Sequence, residues 1–509
     1  MRHSFYFRHP DSKYPKPHGA VRHVTLQFRS FSPMKTTLLT AVALAAAIFA
    51  CTRLAEMPAP PGPPINNCFC ADTTKCGTLC SQLPIDVTEK FGFGYSGTLT
   101  PTFQPPFDIF SWQTFIALNW PADSLGNPLS GPISGNTGAP RVWETYADPA
   151  QLFDSGNAPL LLSISDAAAK GKKFFYRFSK SGHPLRQGVA PSSNFDDEDE
   201  EADGHALIDR NLNFALFEIR INPDEAKFIR DNKLGTKAGI DAYYQSNGKK
   251  FELPSSKFPA TAGSMEIKAS WRILNPGLGD DTTRFYTRNA VISVPAQNST
   301  TGKAFTVQAK VGLVGMHIIR KTNNFSFMIW STFEHMDNTP DDVQAAQTAQ
   351  DTQKRWSFYN VECLTCPVNT APALLPSDSN HYKWNPTEPY AARYAAAVPG
   401  EAGGQKFGSQ ITRTYPIYYR TQQVNQLWQA QLQGTVWANY RLVGSQWTVA
   451  NDGSGDKATI NVPSRLGNTT LESFIQVDAS CISCHSFAEV IYNKDTISTD
   501  FSFLFGEAQ

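Results

Sequence analysis

Hydrophobic positions change period several times along the chain. From Asp108 to Pro121 (DIFSWQTFIALNWP), Phe110, Phe115 and Leu118 recur near helical spacing and Pro121 ends the run, which predicts a helix. KFFYRF and ALFEIRIN predict strands. PDEAKFIRDN, Pro223 to Asn232, opens on a proline and two acids, as a helix N-terminus does. SMEIKASWRIL, RFYTRNAVISV and FTVQAKVGLVGMHIIRKTNNFSFMIWSTFEHM predict several strands in succession, the last with a hairpin around Thr322-Asn323-Asn324. DDVQAAQTAQDTQKR and TQQVNQLWQAQL predict helices, and TVWANYRLVG a strand. In TTLESFIQVDASCISCHSFAEVIYN the pattern predicts a helix, a polar turn, then Phe487, Val490 and Ile491 at helical intervals. The fold class expected is α+β: a β-rich body with peripheral helices and a short helical C-terminal segment. There is no internal repeat.

Composition changes this picture little. The 509 residues, 41% hydrophobic and 12% aromatic, suffice for one large or two ordinary domains. The 45 basic and 45 acidic residues balance, which argues against a nucleic-acid partner. The acidic run Asp196 to Asp203 lacks calcium-loop spacing and reads as a solvated loop.

The N-terminal region carries an address. Residues 1–33 are basic without periodicity, either a charged leader or a translation start placed too early. From Met34, MKTTLLTAVALAAAIFAC reads as a secretory signal of lipoprotein type, too short for a stable membrane span. Cys51 would be its lipidated first residue and a membrane tether, although Phe49 is bulky for such a cleavage box; ordinary cleavage and an uncleaved anchor are the alternatives. An exported, periplasmic location follows as the expectation. Residues 52–106 then form a proline-rich tether and a cysteine-rich loop.

In an oxidising compartment, Cys68, Cys70, Cys76 and Cys80 read as a disulfide-stapled loop rather than a zinc site. Cys363 and Cys366 read as a structural disulfide, because Pro367 stands where a haem-binding histidine would be.

Cys481-Ile482-Ser483-Cys484-His485 is different. Two thiols two residues apart, followed by a histidine, are the arrangement that attaches c-type haem: the thiols reach two vinyl groups and the imidazole becomes the proximal iron ligand. One covalent haem c is expected, on an attachment segment of residues 466–509 that follows an α+β body of residues 107–465. No Met or His follows His485, so a sixth ligand must come from upstream. The candidates are Met316, His317, Met328, His335 and Met336, with Met316 or Met336 favoured for ligation. A two-residue hairpin would oppose His317 and Trp330 and place Met328, Glu334 and Met336 on that face. His317, Glu334 and His335 are the candidate acid–base groups.

WQTFIALNWP, VWETYADPAQLF, LIDRNLNFALFEIRINPDEAKFI, GSMEIKASWRIL, VGLVGMHIIRK, STFEHMDN, VWANYRLVGSQW and the terminal SCISCHS together resemble a family of exported bacterial c-type cytochrome proteins without an established reaction. The resemblance spans roughly Cys68 to Phe487 and implies haem and export. Three functions remain open at this point. One is electron transfer with a redox partner protein or a small-molecule donor or acceptor. The second is a haem-dependent oxidoreductase with an open distal site, peroxidase- or oxygenase-like. The third is a haem-based sensor or binding protein.

Overall fold

The longest strand, β5 (Phe305–Arg320), organises the molecule. The structure, a computed structural model, describes residues 64–508 apart from 66–67, 88–102, 136–137, 154–156, 177–204, 258, 326, 342–354, 364–365, 373–381, 393–406 and 451–458. The leader, the signal, Cys51, the acidic run and most of the helix expected over residues 341–355 therefore lie outside the described residues. Residues 62–509 form one compact unit.

One eight-stranded sheet contains β1 (Lys172–Phe175), β2 (Leu216–Ile221), β3 (Met265–Ile273), β4 (Thr287–Val294), β5, β6 (Ile329–His335), β7 (Tyr440–Ala450) and β8 (Thr459–Val462). Its order is β1-β4-β5-β6-β7-β8, with β3 also on β5 and carrying β2. β1 and β4 pair in parallel, and the other pairs are antiparallel. The first half of β5 pairs with β4, while its second half lies between β3 and β6. That second half is buried on both faces, as its run VGLVGMHII, apolar except for His317, suggests.

Seven α-helices flank the sheet among the described residues: α1 (Gln104–Leu118), α2 (Ala150–Phe153), α3 (Ala158–Ala169), α4 (Pro223–Asp231), α5 (Lys237–Ser246), α6 (Tyr419–Gln431) and α7 (Cys481–His485). α4 begins as the sequence predicts: Pro223 is its first residue and the Asn222 side chain accepts from the Glu225 amide at 3.1 Å. α1 covers one sheet face. Phe115 stacks on Phe333 at 4.2 Å and Trp112 on Trp428 of α6 at 5.6 Å. Ser111 ties the helix to Ser331 and Ser445 at 2.6 and 2.7 Å.

Two irregularities decide which residues face the opposite side. Ser270 pairs with Gly315 and Trp271 with Leu313, so Val314 bulges out of the ladder. Leu313, Met316 and Ile318 consequently join the core under α1, and His317 and Ile319 point to the other face. The β5–β6 connection spans residues 321–328, and His317 opposes Thr332 rather than Trp330. The two-residue turn is thus corrected to a longer one. The shift is a full strand period, so Trp330, Thr332 and Glu334 still share the His317 face.

The C-terminal segment covers that face. Its expected first helix is a series of turns, because Asn468, Thr469 and Thr470 spend their side chains elsewhere. Asn468 Nδ2 donates to the Phe333 carbonyl at 2.8 Å, Thr469 Oγ1 to Glu334 at 2.8 Å, and Thr470 Oγ1 lies 2.7 Å from Ser270 Oγ. Helical spacing after His485 is also overturned. β9 (Glu489–Tyr492) and β10 (Asp495–Ser498) form a hairpin through Asn493 and Lys494, both with positive φ. Val490 is buried, whereas Phe487 and Ile491 are exposed.

The disulfides are Cys68–Cys76, Cys70–Cys80 and Cys363–Cys366, while Cys481 and Cys484 are free.

Candidate functional site

The Cys481–His485 motif is held from the sheet. Gln446 on β7 accepts from the Ile482 amide at 2.9 Å and donates to Pro463 O at 2.7 Å and Ser480 Oγ at 3.1 Å. Asn461 Nδ2 donates to Ser483 Oγ at 2.7 Å. These contacts fix the single turn of α7, with Cys481 buried and Cys484 exposed. Burial raises both thiols, so they are protonated.

His485 has one nitrogen committed. Its Nδ1 lies 2.7 Å from the Phe501 carbonyl oxygen. A carbonyl only accepts, so Nδ1 carries the proton and Nε2 keeps its lone pair. Burial, foremost, pushes the imidazole down to about 4, which keeps it neutral. Trp330 and Phe503 flank the ring at 5.4 and 5.1 Å.

A cleft containing about 950 Å³ of empty space, its mouth included, opens beside the motif. The sheet forms one wall with Ile219, Glu266, Lys268, His317 and Ile319. The C-terminal segment forms the other with Glu472, Ile475, Cys481, Cys484, His485 and Leu504. His317 is buried, and its Nε2 has no aligned hydrogen-bond partner. Glu472 Oε2, which accepts from the Asn468 amide at 2.8 Å, stands 3.4 Å from that nitrogen.

A second buried group borders the cleft. Glu225 and Glu266 touch through their carboxyls, and burial raises both above the ordinary range, Glu266 to about 7. A proton on either carboxyl would relieve both the burial and the repulsion between them.

The remaining sequence candidates lie elsewhere. Met316 is in the core on the opposite sheet face. Met336 accepts from Gln429 Nε2 at 3.1 Å and lines a separate polar cavity with Asp341, Arg413 and Arg441. Met328 is buried in the apolar cluster behind α7 and does not line the cleft. Glu334 is fully buried between Arg413, Arg441 and Thr469. His335 uses both nitrogens, Nε2 with the Arg284 carbonyl at 3.0 Å and Nδ1 with the Asp337 amide at 3.1 Å. Burial first, against the pull of Asp337, holds its imidazole down at about 4. Only His317 of these candidates shares the cleft with Cys481, Cys484 and His485. Sequence reasoning missed Glu472, Gln446 and the Glu225–Glu266 pair. Glu472 had a faint signal in its nearness to the motif; the others had none.

Among the described residues, no cluster of three or more His, Cys, Asp or Glu could hold a metal ion by itself, and no helix is long and apolar enough to cross a membrane. Compared with protein-family models, curated proteins and solved structures, the chain matches none.

Proposed function

We propose that this chain is an exported c-type cytochrome that carries one covalent haem c and transfers electrons. The observation that carries the reading is the cleft bordered by Cys481, Cys484 and His485, with the lone pair of His485 Nε2 uncommitted. Two protonated thiols, a neutral imidazole and apolar walls fit a porphyrin joined through two thioethers. The family resemblance points the same way.

Cys481 and Cys484 would hold the group covalently, and His485 would ligate its iron. When bound, the haem supplies a one-electron couple, raised in potential where burial penalises the extra ferric charge. The chain's own residues do the rest. The Phe501 carbonyl fixes the tautomer and orientation of His485. Ile219, Ile319, Ile475 and Leu504 exclude water. A proton on the Glu225–Glu266 pair would spare the site a second buried negative charge. Exposure of Cys484, Phe487 and Ile491 supports access for a redox partner protein or a small-molecule donor or acceptor at this edge. Export to the periplasm and a tether through lipidated Cys51 complete the proposal.

One observation favours a second reading, a haem enzyme with an open distal site: His317 and Glu472 together are an acid–base pair in the cleft.

The test is the absorption spectrum of the full chain produced with haem-attachment machinery. A reduced c-type spectrum that persists through denaturation is expected. Its absence contradicts the proposal.

A further inference from the structure

We propose that His317 is the second axial ligand to the haem iron and that Glu472 is its positioning residue. This rests on the covalent haem proposed above and names the other side of the same site.

Four observations converge. His485 and His317 enter the cleft from different walls, one from the C-terminal segment and the other from the sheet. A planar group attached at Cys481 and Cys484 would therefore stand between two imidazoles. His317 is also a buried polar side chain whose Nε2 lacks a hydrogen-bond partner, an arrangement that costs free energy unless something completes it. Glu472 lies at 3.4 Å, and its carboxylate is anchored by the Asn468 amide. That contact is to Nε2, so Glu472 would complete Nε2 by taking its proton and leave Nδ1 as the ligating nitrogen, the usual support of a metal-bound histidine. Finally, β5 is paired on both sides at His317, through Lys268 of β3 and Thr332 of β6, so the ligand sits on rigid backbone.

The competitors are placed differently. Met316 faces the core, the Met336 sulfur accepts from Gln429, and both His335 nitrogens are used. The other polar groups of the sheet wall, Glu266 and Lys268, are not among the side chains that ordinarily ligate haem iron.

The experiment uses the full chain carrying its haem, followed by ferric electron paramagnetic resonance and by the ferrous spectrum with and without carbon monoxide. The wild type is expected to be low-spin and unmoved by carbon monoxide. His317→Ala should become high-spin, shift on adding carbon monoxide, and return to the low-spin spectrum with exogenous imidazole. Glu472→Gln should keep the ligand but weaken its hold, giving slow carbon monoxide binding. Met316→Leu and Met336→Leu should match the wild type. A high-spin or carbon monoxide-reactive wild type would overturn the inference, as would an unchanged His317→Ala spectrum. If His317→Ala does not fold, loss of the low-spin signal in either methionine variant would overturn it. Haem retention on a denaturing gel is read separately: a chain without haem overturns the proposed function and this inference with it, whereas retained haem with the wrong ligation overturns the inference alone.

Discussion

The Nδ1 of His485 lies 2.7 Å from the backbone carbonyl oxygen of Phe501. That carbonyl is presented by a turn in which Asp500 and Phe501 both have positive φ, 55° and 71°. Such a conformation is costly for residues with side chains and persists only where the surroundings over-determine it. Here Asp500 pairs with buried Lys321 and accepts from the Leu253 amide at 2.8 Å. The orientation of the histidine is thus anchored by an ion pair some distance from the motif.

Asp500→Ala should therefore destabilise the fold by roughly 3 kcal/mol, because it leaves Lys321 buried and unpaired. Denaturant unfolding of wild type and variant measures this. A loss below about 1 kcal/mol would mean that the turn is held by something else.

Glu266 makes stability depend on pH. Its folded-state pKa is raised, by burial foremost, from 4.5 to about 7, and Glu225 is raised with it. The native state then binds more protons than the unfolded state between these values, so the contribution of Glu266 to stability is fully present below about pH 4.5 and is lost as pH rises through about 7. Asp108, raised by burial to about 7, adds a slope of the same sign. Glu266→Gln replaces the carboxyl by a neutral amide that does not titrate. It should flatten the fall and make the variant more stable than wild type at pH 8. Unfolding midpoints at pH 5 and pH 8 check both statements.

Lys173 lies at the centre of a buried charge cluster, 3.0 Å from Glu144 and 2.6 Å from Glu218. Its ammonium also sits over Trp143 and Trp271, 4.3 and 4.8 Å from their ring centroids. Burial pushes Glu144 up, but Lys173 and Arg288 outweigh it and hold the carboxyl down at about 2. Lys173→Met would leave these carboxylates under-compensated, at a cost of about 3–5 kcal/mol in equilibrium unfolding.

Gly315 admits the C-terminal segment to the sheet. A Cβ there would meet Thr470 Oγ1 at 2.2 Å and Ser270 Oγ at 2.4 Å. Gly315→Val should lift the 468–470 turn off β5 and destabilise by about 1–3 kcal/mol. Limited proteolysis should then cut the segment before the body, and a wild-type digestion pattern would contradict this.

The legible part of the chain was the part governed by local pattern. Strand alternation marked β2 to β6, and Pro223 with the two acids after it marked the start of α4. What the sequence hid depends on long-range pairing. The bulge at Val314 decides that Met316 turns to the core and His317 to the cleft, and no local signal announces it. Val490 and Ile491 fit a helical period as well as a strand, and only pairing with β10 decides between them. The turns at 468–470 follow from partners on the sheet, Phe333, Glu334 and Ser270. Met316 and Met336 are the ligands the sequence favours, whereas His317 is the candidate that lines the cleft.

Covalent haem is tested most directly by the intact mass of the denatured full chain after production with haem-attachment machinery. One haem is expected on the wild type and none on a Cys481→Ser, Cys484→Ser double variant that is otherwise folded. A wild-type chain without that increment, or a double variant that keeps it, would contradict covalent haem attachment at this motif.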